Sequence, residues 1–425
     1  MATNAIFQQM LNQYLPNELL KEEMIERDYV LNRVEKDDNW VGDGTSDSQL
    51  IVPFKAGGAS SVANGQLTAA SDVAQDTYVR GKISAQPEVW GSMLFNQKDL
   101  YQHGKINEQN FLKILPDTIE DFLDYMKSVV SLCLLNGPAI TKLSVAALTG
   151  DTAITVYRPD RLVLGQKLVI DDGTNTTVCY VISIDINAQT ASVSSTRGGS
   201  ATALGHAFAL NTGVYNDGFN PQSAYPTFSS MKLALLSSTN GGTSTLYGQT
   251  KTSYPYLQAI NVNGSTATAD NLVKMCFDAY TRTRRLGKGR PNEIIMSLQN
   301  LGFVMAIVEA SKGAYNVVAD SKKTSQYGWT EIAIGSVTNQ ALKFIGVHEM
   351  DDDYIMFIDW RGWKFYSNGF FRKRKSPDGI EYFEVRNQSG FQYIVDISLF
   401  GDIVCLRPSY QGILYGINIP TPVTG

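Results

Sequence analysis

Residues 115–137 read LPDTIEDFLDYMKSVVSLCLLNG. Leu115, Ile119, Phe122, Met126, Val129 and Cys133 recur at alternating spacings of four and three, which puts them on one face of a helix. Pro116 suits a first helical turn, where its missing N–H has no partner to lose. Asp117, Glu120 and Asp121 favour the positive end of the helix dipole. Asn136, Gly137 and Pro138 supply a stop. At 1.5 Å per residue the expected helix is roughly 30 Å long. It is the most strongly patterned helix in the chain and it separates two β-rich regions of different character.

Working outward, the chain has 425 residues, enough for two or three domains, and 43% are hydrophobic, enough for a sizeable core. Charged residues make up only 18% and glycine is abundant at 36 residues. That composition suits β-structure, turns and surfaces that pack against other chains. The net charge is −5, from 36 basic and 41 acidic residues, so the chain as a whole is not a polyanion binder. Cys133, Cys179, Cys276 and Cys405 are far apart in apolar settings. They are expected to be small buried hydrophobes in a reducing compartment, with no disulfide framework. The N-terminal sequence lacks the pattern of a signal peptide, and no apolar run reaches membrane-spanning length, so no membrane partner is expected.

Before the long helix, residues 1–38 read as helical, with one short face at Ile6, Met10, Leu11 and Tyr14 and a looser one at Leu19, Leu20, Ile25, Tyr29 and Val34. Asn39-Trp40 and Gly42-Asp43-Gly44 mark a break. Leu50, Val52 and Phe54 alternate with Ile51 and Lys55 as a strand does. The small and polar stretch 56–75 is a loop, and residues 76–95 read as a second extended run. Together they make a β-arm. A two-stranded ribbon alone is marginal in water, so the arm is expected to rest on another subunit.

After the helix, residues 139–212 form a compositional island. Strands are expected at 153–157, 167–170, 176–186 and 190–195, separated by turns, with one face of 181–186 buried. Short strands at this spacing suggest a small β-barrel or sandwich. Residues 213–268 read as loops with short strands. A helix at 269–286 has Leu272, Val273, Cys276, Phe277 and Tyr280 inward, a strand follows at 292–296, and a second helix spans 298–310. From Leu342 onward strands are expected at 342–347, 354–359, 362–366, 380–387, 391–406 and 412–419.

Catalytic patterns are absent from this sequence. His103, His206 and His348 stand apart from each other and from cysteine, and no nucleophile elbow occurs. Asp351, Asp352 and Asp353 read as a solvated turn, without the ligand spacing of a calcium loop. Gly287-Lys288-Gly289-Arg290 is a helix stop, not a phosphate loop. No catalytic, cofactor or metal site is assigned. Two basic clusters, Arg282/Arg284/Arg285/Lys288/Arg290 and Arg372/Lys373/Arg374/Lys375, suit inter-subunit or solvated charge, though either has the chemistry to meet phosphates. Lys55, Arg80 and Lys82 on the arm invite pairing with acids of a neighbour.

The order of elements resembles that of a tailed-bacteriophage major capsid protein with the Hong Kong 97-like fold. The arm at 48–95 resembles the family's E-loop, the helix at 115–136 its spine helix, and 269–310 its peripheral domain. YIMFIDWRGWKFYSNG and the β-rich close from Phe371 resemble the end of many members. The fold this implies is α+β, with an N-terminal arm (1–47), an extended β-arm (48–100), the spine-helix region (101–138), an inserted small β-barrel (139–212), a loop-rich segment (213–268) and peripheral and axial elements (269–425). The resemblance also implies hexamers and pentamers of this chain in an icosahedral shell around double-stranded DNA. The shell would be assembled in the host cytoplasm, with portal, scaffold or decoration proteins as partners and only weak, non-specific contact to DNA. An encapsulin-like nanocompartment is the alternative, and a β-rich tail or adhesion protein a more distant one. Assembly contacts are expected at Lys55, Arg80, Lys82 and Trp90 of the arm and at Arg282, Arg284 and Arg285.

Overall fold

A computed structural model describes residues 25, 28–37, 50–55, 78–83, 87–96, 108–223, 226–287, 289–310, 331–334, 342–367, 371–375, 380–387 and 390–418. The helical faces expected at 6–14 and 19–20, the break at 39–44, the loop at 56–75, His103 and Lys288 lie outside these. The architecture is α+β, and the chain divides into two compact units. One holds Pro87–Ser230 and Lys373–Leu399; the other holds Met231–Arg372, Phe400–Gly425 and the described residues between 16 and 86. Among the described residues no helix is long and apolar enough to cross a membrane.

In the first unit, the long helix is Glu108–Leu135, 28 residues and about 42 Å. It begins earlier than expected, because Glu108, Gln109, Leu112 and Lys113 are good helix formers that carry it back past Pro116. Pro116 is therefore inside the helix, where its ring leaves one carbonyl of the preceding turn without its usual donor. Ile119, Leu123, Met126 and Val130 are buried, as are all four residues from Leu132 to Leu135. The buried stripe thus runs through Leu123 and Val130, and Phe122 and Val129 are only half-buried. Asn136 N–H still donates to the Leu132 carbonyl (2.9 Å), and Gly137 turns the chain away.

The same unit contains a six-stranded sheet in the order Ala139–Lys142, Gly213–Asn216, Lys167–Asp171, Thr176–Asp185, Thr190–Ser194, Ala153–Thr155. Its two edges are joined to each other. Leu143 and Val156 form an antiparallel bridge, Ser144 N–H donates to Thr155 O (2.9 Å) and Tyr157 N–H to Lys142 O (3.1 Å). Ile140, Leu143, Ile154, Val156, Leu168, Ile170, Cys179, Val181, Val193, Phe208 and Val214 make one core inside it. The first and second strands in this order were not apparent from the sequence, since each pairs across 70 residues or more. A register shift between Val181 and Ser183 changes which residues face inward. Cys179 and Val181 point in before it, Ile184 packs on the core after it, and Ile186 ends 64% exposed, so the expected single alternation does not hold.

In the second unit, a six-stranded sheet runs Ile260–Asn263, Gly412–Tyr415, Tyr354–Ile358, Glu293–Ser297, Leu342–Val347, Glu331–Ile334. The helices Leu272–Gly287 and Leu298–Ala310 bury Leu272, Val273, Cys276, Leu301 and Val304 against Ile294, Met296, Phe344, Ile355, Phe357 and Leu414. All four cysteines are free and buried.

Several strands differ from the sequence reading for one reason, long-range pairing. Glu35–Asp37, read as helix, lies parallel to Trp363–Tyr366. Residues 76–95 are two strands in different sheets: Tyr78–Ile83 pairs with Leu50–Lys55, whereas Glu88–Asn96 pairs with Gly390–Phe400. The expected strand 391–406 is cut at Gly401, whose φ of +146° and contact with the Phe365 ring leave no room for a side chain. Phe371–Lys373 and Glu331–Ile334 are further strands the pattern did not reveal.

The short helix Tyr29–Arg33 is capped by buried Asp28, which accepts from Leu31 N–H (2.6 Å). It is fastened by Glu293, which accepts from Tyr29 Oη (2.6 Å) and Trp360 Nε1 and pairs with Arg33 (3.4 Å). Burial first, then the neighbouring carboxylate, pushes the Tyr29 hydroxyl far above its ordinary value, so it stays a donor. Glu293→Ala strands two buried donors at about 1–3 kcal/mol each. Urea unfolding of Glu293→Ala is expected to lose about 2–4 kcal/mol, with hydrogen-exchange protection falling first at 28–37; an unchanged midpoint refutes this role.

Candidate assembly surfaces

The arm root is a ribbon of Leu50–Lys55 and Tyr78–Ile83 in antiparallel register, with Pro53 opposite Arg80 and Ile51 opposite Lys82. Leu50, Val52, Phe54 and Ile83 are buried, as the alternation predicted. At this root of the arm, cover comes from the same chain; the arm's loop, for which support from another subunit was expected, lies outside the described residues. Tyr247 stacks flat on Phe54 (5.4 Å between centroids, 5° between planes). Its carbonyl accepts from Lys82 N–H (2.8 Å), and Gln249 Nε2 donates to Arg80 O (2.9 Å). Its hydroxyl accepts from Cys405 N–H (2.9 Å).

Tyr247 holds this position at a backbone cost. Its φ is +49°, in the left-handed region that bulky side chains avoid, at the turn between Thr245–Leu246 and Gln249–Thr250. The strain persists because stacking and hydrogen bonds on three sides outweigh it. Gly81 lies so close to the Phe54 ring that no Cβ fits. Just beyond the turn, Lys251 Nζ donates to the carbonyls of Leu233 (3.0 Å) and Leu236 (2.7 Å), and burial lowers its amine to about 8. A lowered lysine pKa is a nucleophile's property, but here the amine is buried and occupied by helix-end carbonyls.

The outward face of the ribbon presents Pro53, Arg80 and Lys82, all exposed. Lys55 belongs to the same strand, and its side chain lies outside the described residues. Pro53 on this strand offers no N–H to an annealing strand. In the first unit, the long helix exposes Glu120 and Asp121 of the sequence reading together with Asp124, and the Asp117 side chain lies outside the described residues.

Trp90 and Leu94 are 45% and 53% exposed on the outer face of Glu88–Asn96. Trp90 is half-claimed within its own chain. The Arg374 guanidinium lies 5.6 Å from its ring and 5.1 Å from that of Phe383. Arg374 also pairs with Asp396 (3.7 Å), which accepts from Ser92 Oγ (2.6 Å). Lys373 is buried on Glu381, and Lys375 reaches the same carboxylate (3.5 Å). The second basic cluster is therefore partly paired within its own chain: Lys373 is buried, while Arg374 and Lys375 stay exposed, as expected of solvated charge; the Arg372 side chain lies outside the described residues. The acidic turn is corrected in the same way. Buried Lys232 pairs with Asp353 (2.9 Å) and Asp351 (3.7 Å) and sits 4.3 Å from the Tyr354 ring centroid.

At the end of Leu272–Gly287, Arg282 and Arg285 are exposed, while Arg284 lies 5.6 Å from the Tyr280 ring and donates to its hydroxyl (3.3 Å). The sequence found these cations, but the Tyr247 clasp carried no signal, because a tyrosine in a Leu-Tyr-Gly-Gln turn announces neither its φ nor its stack.

Solved structures with a similar fold outline include the Cyanophage A-1(L) capsid asymmetric unit (10% identity, 91% of this chain and 90% of that one, TM-score 0.48). Others are that of Gordonia phage Cozz (11%, 93% and 87%, TM-score 0.43) and the holo-SrpI encapsulin complex from Synechococcus elongatus (10%, 94% and 91%, TM-score 0.39). No family model and no curated protein matches the chain.

The clasp makes a graded prediction. Tyr247→Phe keeps the stack and loses the hydroxyl's bonds from Cys405 N–H (2.9 Å) and to Ile403 O (3.5 Å), for about 1–2 kcal/mol. Tyr247→Ala removes the stack and leaves a cavity, for about 3–5 kcal/mol. Gly81→Val disrupts the ribbon while leaving Tyr247 intact. Hydrogen exchange at 50–55 and 78–83 is expected to rise in that sense for Ala and Val and little for Phe. Equal exchange in all three shows that the root is held by something else.

Proposed function

We propose that this chain is the major capsid protein of a tailed bacteriophage, a shell subunit with no reaction of its own. In this reading it forms hexamers and pentamers that close into an icosahedral head around double-stranded DNA. The observation that supports it is self-complementarity. One chain carries a cationic, strand-blocked arm face (Pro53, Arg80, Lys82) and, elsewhere, an acidic row on its longest helix (Glu120, Asp121, Asp124). Two different patches of opposite charge favour head-to-tail contacts, and such contacts can close into rings. Isolated exposed pairs contribute only about 0.2–1 kcal/mol each, but a shell repeats them in every contact.

The finer assignments follow from this reading. The Leu50–Lys55/Tyr78–Ile83 ribbon is the root of an E-loop whose tip lies between residues 56 and 77. Glu108–Leu135 is the spine helix. The closed sheet of 139–216 is an inserted β-barrel; it has its own core, so its insertion costs the rest of the subunit little packing. Residues 1–47 are the N-terminal arm, and 213–268 and 269–425 supply peripheral and axial elements. Trp90 and Arg282–Arg285 are further contact positions. Portal, scaffold or decoration proteins complete the assembly in the host cytoplasm.

Electron microscopy of the purified protein tests the reading, with closed shells expected. Deleting residues 56–75 is expected to leave a folded subunit that does not close shells. Reversing the arm charges (Arg80→Glu with Lys82→Glu) is expected to suppress assembly, and adding Asp121→Lys with Asp124→Lys is expected to restore part of it. A monomer that persists at high concentration sinks the proposal. Shells filled with protein instead of DNA redirect it to a nanocompartment.

A further inference from the structure

In the second unit, arginines gather on a rigid platform that the sequence did not reveal as one surface. Gln411, fully buried, accepts from Asp359 N–H (2.8 Å) and donates to Asp359 O (3.0 Å) and Arg407 O (3.4 Å). It thereby ties the turn Trp360–Gly362 to the turn Pro408–Tyr410, and Leu406 N–H adds a bond to Gly362 O (2.7 Å). The helix Leu272–Gly287 ends on the same turn, with Gly287 and Gly289 against the main-chain carbonyls of Ser409 and Tyr410. The turn Pro255–Leu257 packs on it as well.

Arg285, Arg290, Arg361 and Arg407 are displayed from this platform, all exposed. The Arg407 guanidinium lies 5.3 Å from the Tyr410 ring centroid, which fixes its plane. The nearby acid offsets Arg361 and not the other three. Asp359 is buried, and its carboxylate is occupied by Arg361 (2.8 and 2.6 Å). Asp278 is exposed two turns up the helix from Arg285.

We infer that this patch binds the phosphate backbone of double-stranded DNA without sequence preference. The planar guanidinium matches phosphate with two parallel hydrogen bonds, and Arg tolerates partial desolvation better than Lys does. Each neutralised phosphate releases counterions, which drives binding at low salt and weakens it steeply as salt rises. The rigid turns lower the ordering cost of the complex. A duplex is favoured over a single strand because Tyr410 is covered by Arg407. Tyr256 is the one exposed ring beside the platform among the described residues, whereas single-strand sites stack successive bases on several rings. The overall charge of −5 makes such binding local and weak, as suits DNA that has to leave again. The choice of DNA as the polyanion rests on the capsid reading; the patch itself does not.

The test is fluorescence anisotropy of a short random-sequence duplex titrated with the full, unassembled chain at several salt concentrations. The triple variant Arg285→Gln, Arg290→Gln, Arg407→Gln leaves the Arg361–Asp359 pair in place. It is expected to bind at least about tenfold more weakly at low salt. Its log–log salt slope is expected to be shallower by nearly 3, about 0.9 for each phosphate no longer neutralised. A charge-matched control, Lys127→Gln with Arg197→Gln and Lys274→Gln, is expected to keep the wild-type slope. Circular dichroism and thermal unfolding establish that the triple variant is folded. An unchanged slope in a folded triple variant overturns the inference, as does a wild-type chain that ignores DNA at low salt. Preferential binding of poly-glutamate over the duplex also overturns it and assigns the patch to an acidic protein surface. Electron microscopy of the same variant separates the two proposals, because closed shells without DNA binding leave the capsid reading standing.

Discussion

Hydrogen bonding between strands far apart in the sequence holds both units of this protein together. Glu35–Asp37 lies against Trp363–Tyr366, Ile260–Asn263 against Gly412–Tyr415, and Glu293–Ser297 against Leu342–Val347. Neither unit is a continuous piece of chain. Buried backbone donors and acceptors have to be paired, and here the pairing partner is often hundreds of residues away. Closing such loops is entropically expensive and slow, so the fold has a high contact order. In return, each unit is stitched by several separate passes of the chain.

Charge follows the same rule. The buried ionic groups are partnered close to where they sit: Glu293 by Tyr29, Trp360 and Arg33, Lys232 by Asp351 and Asp353, Lys373 by Glu381. An unpaired buried charge costs several kcal/mol, so these pairings are conditions of the fold rather than gains in stability. They remove part of the apparent basic character of residues 372–375. The exposed cations include Arg80 and Lys82 on the arm face and Arg285, Arg290, Arg361 and Arg407 around the Pro408–Tyr410 turn. With only 18% charged residues, the chain has few charges to place.

The arm root shows how a weak element becomes a fixed one. A two-stranded ribbon is marginal alone, and this one is secured by a single strained tyrosine that supplies a stack, a carbonyl and a hydroxyl. The clamp fixes Leu50–Lys55 and Tyr78–Ile83 within the chain itself.

The sequence by itself determined the α+β class, the long helix and its stop at Asn136-Gly137-Pro138, the self-contained island after it, the helix–strand–helix 269–310, and the inward alternation of Leu50, Val52 and Phe54. All of these are written in local periodicity and turn chemistry, which act over a few residues. Which strands pair, and which cations remain exposed, was decided only in three dimensions. The charged segment Glu35–Asp37 is a strand because Trp363–Tyr366 offers it an edge, and residues 76–95 split because two different sheets compete for them. The bulge at Val181–Ser183 reverses an alternation that looked continuous. Arg374 and Lys373 read alike as inter-subunit or solvated charge until Trp90, Asp396 and Glu381 meet them, while Arg290, Arg361 and Arg407 become one surface only because buried Gln411 draws their turns together. Periodicity records which face of an element is apolar; it holds no record of what that face, or the charge beside it, will touch.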